Sequence, residues 1–325
     1  MISCVLALAT LTLGACSAAT PRPSGGQPVV SGVAGGGGAA PSSGTSAAPS
    51  ETAVPSVSAL DPAAYKSELE SRRKAMAGAI GSMAGARTVK TLGQRTRKAA
   101  EAVESGAAAL AAVTPPDQVR AQHDAYVAGL RDFATALGGT AGKVGARDLC
   151  TSSAALTDVG GALKSLDQAG QALQQAGDYP ADVVTVKAGG KKNRRLKNGS
   201  FVRKGSLTGR SSLQIDNGGS RDSVVTLVKG GSKVLSVYVR KKAKFKVRGV
   251  RDGTYKVYFT HGADWDGKAR AFTRQCSFER FQKSVKFKTT FTATQIRWHD
   301  WRITLHAIAG GNARTSDVDP DDFPG

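Results

Sequence analysis

Ten consecutive positions, 261 to 270, hold most of the side chains in this 325-residue chain whose chemistry could make a site. His261, Asp264, Trp265, Asp266 and Arg270 place two carboxylates around an indole, with an imidazole before them and a guanidinium after. Such a group could bind a cation or the face of a sugar, or serve a carbohydrate-processing or other hydrolase through acid–base chemistry. More often such a stretch is a turn, here after the strand TYKVYFT (254–260), with the tryptophan capping the core and the aspartates bonding backbone amides. Trp298-His299-Asp300-Trp301 is open to the same two interpretations, a site or a hairpin turn. His123 has no second His or Cys one helical turn away, so it is read as a packed or hydrogen-bonded residue. There is no paired-Cys motif, His-Glu-x-x-His, phosphate loop or Gly-x-Ser-x-Gly. No metal and no cofactor are expected, and the chain reads as non-enzymatic.

Charge points elsewhere. Residues 181–310 contain 29 Lys plus Arg against 8 Asp plus Glu, whereas residues 61–180 contain 14 against 12. The formal net charge of +20 therefore belongs to the second half and to the basic run KAGGKKNRRLK (187–197) before it. Lys241, Lys242, Lys244, Lys246 and Arg248 concentrate that charge, and alternation turns Lys244, Lys246 and Arg248 outward while Phe245 and Val247 face in. A field of this sign attracts polyanions. It also suits a surface that keeps strand edges from pairing.

The segments that must carry these residues have a period of two. SLQID (212–216), DSVVTLVK (222–229), KVLSVYVR (233–240), KFKVR (244–248) and TYKVYFT are separated by Asn-Gly-Gly, Gly-Gly-Ser and Arg-Asp-Gly turns. Further strands are expected over 269–276, 284–294 and 295–308. Seven or eight short strands predict an antiparallel β-sandwich, jelly-roll-like.

Upstream the period is helical. Asp61-Pro62 opens a first helix, a second runs from about Thr88 to Ala112, and Thr114-Pro115-Pro116 stops it. A third begins at Pro116 with Val119, Tyr126, Leu130, Phe133, Leu137 and Val144 on one face. A fourth, begun by Cys150, carries Leu149, Leu156, Val159, Leu163, Leu166 and Leu173. Four amphipathic segments with short breaks predict an antiparallel helical bundle.

Residues 2–13 are apolar apart from Ser and Thr, and reach ~18 Å as a helix against the ~30 Å of a bilayer core. They read as the hydrophobic region of a secretory signal, followed by small residues at Gly14 and Ala15. Leu13-Gly14-Ala15-Cys16 resembles the lipobox of bacterial lipoproteins. That resemblance implies diacylglyceryl transfer to Cys16, cleavage before it, and a lipid anchor in the membrane. No Lys or Arg precedes the apolar run, so a start upstream of Met1 is expected. Residues 17–60 are almost wholly Ala, Gly, Ser, Thr and Pro, the composition of a disordered tether with an r.m.s. reach of ~35–40 Å. A lipid-anchored exported chain meets phospholipid headgroups and anionic wall polymer, so nucleic acid is not an expected partner. Processing leaves Cys150 and Cys276, either paired across the two regions or as two buried thiols.

Leu213–Gly218, Asp222–Val225, Gly253–Tyr255, Gly262–Asp266, Phe272–Arg274, Gly310–Asn312 and the terminal Asp-Phe-Pro carry a second resemblance. Residues 198–324 are similar to an uncharacterised β-rich domain of secreted proteins and lipoproteins from high-GC Gram-positive bacteria, which implies no activity. The expected organisation is a signal peptide (1–15), lipidated Cys16 and tether (16–60), helical bundle (61–178), basic linker (179–205) and β-sandwich domain (206–325). α and β thus occupy separate domains. The expected role is a non-catalytic envelope binding module on the outer face of the cytoplasmic membrane, with the hydrolase as alternative.

Overall fold

Asp61 has extended backbone, and its carboxylate accepts the N–H groups of Ala63 and Ala64 at 2.9 and 3.0 Å. With Pro62 next, first-turn amides are satisfied and helix α1 (Pro62–Ala84) begins. The computed structural model describes residues 58–306 and 313–324. Cys16, the apolar run, nearly all of the tether and positions 310–312 lie outside the described residues. No described helix is long and apolar enough to cross a membrane.

Thr88 and Thr91 cap each other at the start of α2 (Val89–Ala111). The third helix departs from its expected start. Asp117–Val119 forms a 3₁₀ turn first, and α3 (Arg120–Gly145) follows it. The fourth helix is two, α4 (Ser152–Asp158) and α5 (Gly160–Gly177), broken at Val159. Two glycines follow the break, and a Cβ on Gly160 would lie 3.2 Å from the Ala188 Cβ. The absence of a side chain at Gly160 thus lets the chain beyond α5 lie close against the helix. α2 packs against α1 and α3, and α3 against α5. Tyr65, Leu69, Met76, Val103, Leu130, Phe133 and Leu166 are among the residues of their shared core. His123 is buried there, hydrogen-bonded through Nδ1 to the Tyr65 hydroxyl at 2.8 Å, and burial pushes its pKa down.

Twelve strands follow among the described residues, more than expected because the stretch after Ser284 is divided into short pieces and because the end of the expected linker forms a strand at Phe201–Arg203. They are β1 (Phe201–Arg203), β2 (Ser211–Asn217), β3 (Asp222–Lys229), β4 (Ser232–Val239), β5 (Ala243–Val250), β6 (Gly253–Asp266), β7 (Ala271–Phe281), β8 (Val285–Phe287), β9 (Thr289–Phe291), β10 (Ile296–Trp298), β11 (Trp301–Thr304) and β12 (Thr315–Asp317). One sheet has the order β1-β4-β3-β6-β7-β12, with β8 also on β6; another is β11-β2-β5; β9 and β10 form a separate hairpin. The β3–β4 turn has positive φ at both Gly230 and Gly231, 55° and 78°, the geometry a two-residue hairpin with right-handed strand twist requires.

Pairing is antiparallel with one departure from the all-antiparallel expectation: β11 runs parallel to β2, with Trp301 beside Leu213 and Ile303 beside Ile215. Parallel neighbours need a long crossover, and the chain from β2 to β11 supplies one. Leu213, Ile215 and Val247 from the smaller sheet share an apolar cluster with Val225, Leu227, Val237, Val257 and Phe259 from the larger. The opposite face of the larger sheet buries Val224, Tyr238, Trp265 and Phe272 beneath Leu196 and Val202.

Cys150 lies ahead of α4 and is bonded to Cys276 of β7, with Cα atoms 6.4 Å apart. Backbone bonds extend this staple, from Cys150 N–H to the Thr273 carbonyl at 2.8 Å and from Cys276 N–H to the Arg147 carbonyl at 3.1 Å.

Candidate functional site

The segment between α5 and β1 joins the two regions through specific contacts. Tyr179, Ala181 and Val183 are buried in the helical core, and Arg194 and Arg195 then insert consecutive guanidinium groups at the larger sheet. Arg194 grips Asp264 with Nε to Oδ1 at 2.9 Å and Nη2 to Oδ2 at 2.8 Å, while its own backbone N–H donates to Oδ1 at 2.7 Å. The Thr273 hydroxyl donates to Oδ2 at 2.8 Å. Arg195 repeats the fork on Asp222, both bonds at 2.6 Å, and the Tyr238 hydroxyl and Lys241 N–H complete that carboxylate. Two-pronged contact suits guanidinium and carboxylate, and it accounts for arginine rather than lysine at both positions.

These contacts decide the state of Asp264. The Arg194 hydrogen bonds outweigh burial and hold its carboxyl far below the usual carboxylate range. At Asp222 burial opposes ionisation, but Arg195, Tyr238 and the Lys241 amide prevail and lower the pKa. Asp264 and Trp265 are also not loop residues, contrary to expectation. β6 continues through Asp266 across an irregularity between His261 and Ala263, with Trp265 opposite Phe272 of β7. The apolar contacts of the indole with Tyr238 and Phe272 make that continuation favourable. The turn is confined to 267–270, where Asp266 Oδ1 accepts the N–H groups of Lys268 and Ala269 and Arg270 has φ 51°.

His261 does not join the carboxylates. It is buried beside Phe259, with Nδ1 2.5 Å from the Ser223 hydroxyl. Burial, with help from Arg221, pushes its pKa down to about 4, so it is neutral near pH 7. A cavity of about 450 Å³ reaches Asp264, Asp266, Lys191, Lys192 and Arg274, and His261 is not in its wall. In the second tetrad Asp300 accepts the Ser212 N–H at 2.7 Å, and His299 faces the Lys288 carbonyl. Among the described residues, no three His, Cys, Asp or Glu side chains gather where a metal could be held.

The cationic residues of β5 make a more open surface. Lys244, Lys246 and Arg248 lie opposite Asp216, Gln214 and Ser212 of β2, and Arg302 stands beside Gln214 from β11. Asp216 is shared by Lys244 at 3.3 Å and Arg302 at 3.1 Å. Among the described residues, Lys246 is paired with Asp300, at 4.0 Å. Lys241 and Lys242 occupy the turn before β5, where the Lys242 ammonium donates to the Gly218 carbonyl at 2.7 Å. Since β5 is the edge of its sheet, a groove of about 500 Å³ opens beside it. Phe201, Leu207 and Phe245 supply apolar walls, and Lys204, Lys246 and Arg248 supply charge.

The sequence points to Lys246 and Arg248 but not to Phe201, Lys204 and Leu207, which reach the groove from a stretch with little periodicity. It also passes over Arg194 and Arg195, whose only signal is a basic run indistinguishable from a solvated one. No protein family, curated protein or solved structure matches this chain.

Proposed function

We propose that this protein is a non-catalytic binding module of the bacterial envelope, held at the outer face of the cytoplasmic membrane by lipid on Cys16. In this proposal an antiparallel helical bundle carries a jelly-roll-like β-sandwich, and the sandwich engages an anionic envelope polymer along the β5 groove. The observation that carries the proposal is that groove, where an edge strand presents exposed Lys246 and Arg248 above apolar walls. The Cys150–Cys276 bond supports an exported location, because disulfides persist in oxidising compartments. The hydrolase alternative is weakened by Asp264, whose oxygens are occupied by Arg194 and Thr273, and by the separation of His261 from the cavity.

Attraction between exposed charges is screened over ~8 Å at physiological ionic strength. Retention on purified anionic wall polymer should therefore fall steeply along a salt series. Lys246→Gln with Arg248→Gln should weaken retention by roughly tenfold or more, taking ~1 kcal/mol per cation near an anionic surface. Both side chains are exposed, so the melting temperature should not move. Salt-independent retention, or none at low salt, would leave the cations as a solubility device.

The anchor has its own test. Cys16→Ser should abolish incorporation of labelled palmitate and release the protein from the membrane fraction, since acyl chains contribute ~0.8 kcal/mol per buried CH₂. Failure of the unsubstituted chain to take up label would remove the lipid anchor from the proposal.

A further inference from the structure

Large exposed hydrophobic side chains are gathered in one place. Among the described residues they are Phe291, Ile296, Trp298 and Trp301, exposed by 67, 41, 48 and 39 %. Scattered singly they would need no explanation, but a contiguous cluster marks a contact surface. The register gives them a common direction. Phe291 pairs with Ile296 and Thr289 with Trp298 across the β9–β10 hairpin, so Phe291, Ile296 and Trp298 share one face. Residues 291–300 are all exposed, as in a ribbon standing off the sheets. Its base is fixed: Thr289 N–H and hydroxyl donate to Asp252 at 2.7 and 2.9 Å, and the Trp301 indole donates to the Lys286 carbonyl at 2.9 Å.

The charge in the stretch that holds this apolar face is predominantly positive. Lys283, Lys286, Lys288, Arg297 and Arg302 fall between positions 283 and 302 against a single acid, Asp300. The Arg210 guanidinium lies over the Phe291 ring, 5.9 Å from its centre. We propose that the β9–β10 hairpin is a membrane-docking element that seats Phe291, Ile296 and Trp298 at the acyl boundary of an anionic phospholipid surface while the surrounding cations meet the phosphates. An anionic bilayer satisfies both halves together, because Trp favours the headgroup level and each Lys or Arg adds attraction to the surface. A sugar or single-stranded nucleic acid would want free planar rings. Here Arg210 occupies one face of the Phe291 ring, and Ile296 offers no plane. The element lies outside the β5 groove, so this inference goes beyond polymer binding, although it rests on the same membrane location.

The test uses the full chain with vesicles of equal parts phosphatidylglycerol and phosphatidylcholine, the latter brominated on its acyl chains. Tryptophan emission isolates the hairpin from any N-terminal anchor, because a quencher inside the bilayer reaches only inserted rings. Trp265 is buried in the protein and serves as an internal reference. Trp298 emission should shift to the blue and be quenched. Trp298→Phe with Trp301→Phe should leave only unquenched emission from Trp265. Phe291→Ser with Ile296→Ser should lower the quenched fraction at a fixed lipid concentration by roughly tenfold, with an unchanged melt because both positions are exposed. Vesicles of phosphatidylcholine alone should quench much less.

A chain that binds vesicles with Trp298 unquenched would overturn the inference and leave the β5 surface or the anchor as the contact. Equal quenching on both vesicle types would overturn its anionic part. A blue shift on wall polymer or oligodeoxythymidine but not on vesicles would assign the hairpin to that occupant instead. Wall-polymer retention by the Lys246/Arg248 variant is read separately, so either proposal can fail alone.

Discussion

Reduction of the Cys150–Cys276 bond should lower the stability of the folded chain by about 5 kcal/mol, the chain-entropy value for a loop of this length. The two cysteines are 126 residues apart, so the bond removes a large set of conformations from the unfolded chain. It also closes a local joint. Leu149 bridges Arg274, and the Asp148 and Arg147 carbonyls accept the Gln275 and Cys276 N–H groups, each at 3.1 Å. The helical and strand regions otherwise have separate apolar cores. Reduction should therefore also divide one denaturant transition into two, seen as helical and β signals moving apart. Peptide mapping without reductant should recover one linked peptide, and Cys276→Ser should behave as the reduced protein does. Free thiols at both positions in protein purified without reductant would refute the pairing, and coincident unchanged transitions would refute the joint.

Much of the helical half was legible because burial there follows a fixed period. Val119, Tyr126, Leu130, Phe133, Leu137 and Val144 recur at helical spacings, and all six are buried. Asp61-Pro62 likewise names both cap and first residue. The break at Val159 was not legible, because Leu156, Val159 and Leu163 keep their spacing across it and are buried on both sides. In the β half, alternation located strands but not their partners. Nothing local tells Trp301 that it will lie parallel to a strand formed long before it. Nor does alternation tell a buried strand from an exposed one. Val237 and Val239 vanish into the core, whereas Ile296 and Trp298, spaced identically, stand in solvent. The candidate site had the same difficulty. His261 and Asp264 are close in sequence, yet one is buried beside Phe259 and the other is turned to Arg194. The partner of Asp264 is 70 residues away and that of Asp222 is 27, so no short motif could announce either fork.

Replacing Asp264 should destabilise the fold by roughly 3 kcal/mol, the low end for breaking a buried pair, since Arg194 remains partly open to water. Asp264→Asn is nearly isosteric, so the loss comes from charge and hydrogen bonding rather than from a cavity. Arg194 would keep only Asp266, 3.2 Å from its Nη1, as a counter-ion, and the bonds from its amide and from Thr273 would weaken. Asp266→Asn should cost less, because its main contacts are turn amides near the surface. Acid separates the contributors. A carboxyl whose pKa is lower in the folded than in the unfolded chain adds stability above the unfolded value of ~3.9 and loses it as pH falls through the folded one. Asp264 and Asp222 both obey that sign, so their contribution should be intact at pH 7 and drain away below about pH 4. His261 is also depressed, from 6.5 to about 4, so its neutral form favours the fold and stability is lost earlier, as pH falls from 6.5 toward 4. Stability measured by denaturant from pH 7 to pH 2 should thus decline in two stages. Asp264→Asn should start lower, keep the upper stage and shrink the lower one to what Asp222 still contributes, whereas His261→Gln should shrink the upper stage, leaving the share of His123. An Asp264→Asn curve parallel to the parent throughout would mean that the Arg194 fork adds nothing to acid stability, and that some other carboxylate governs it.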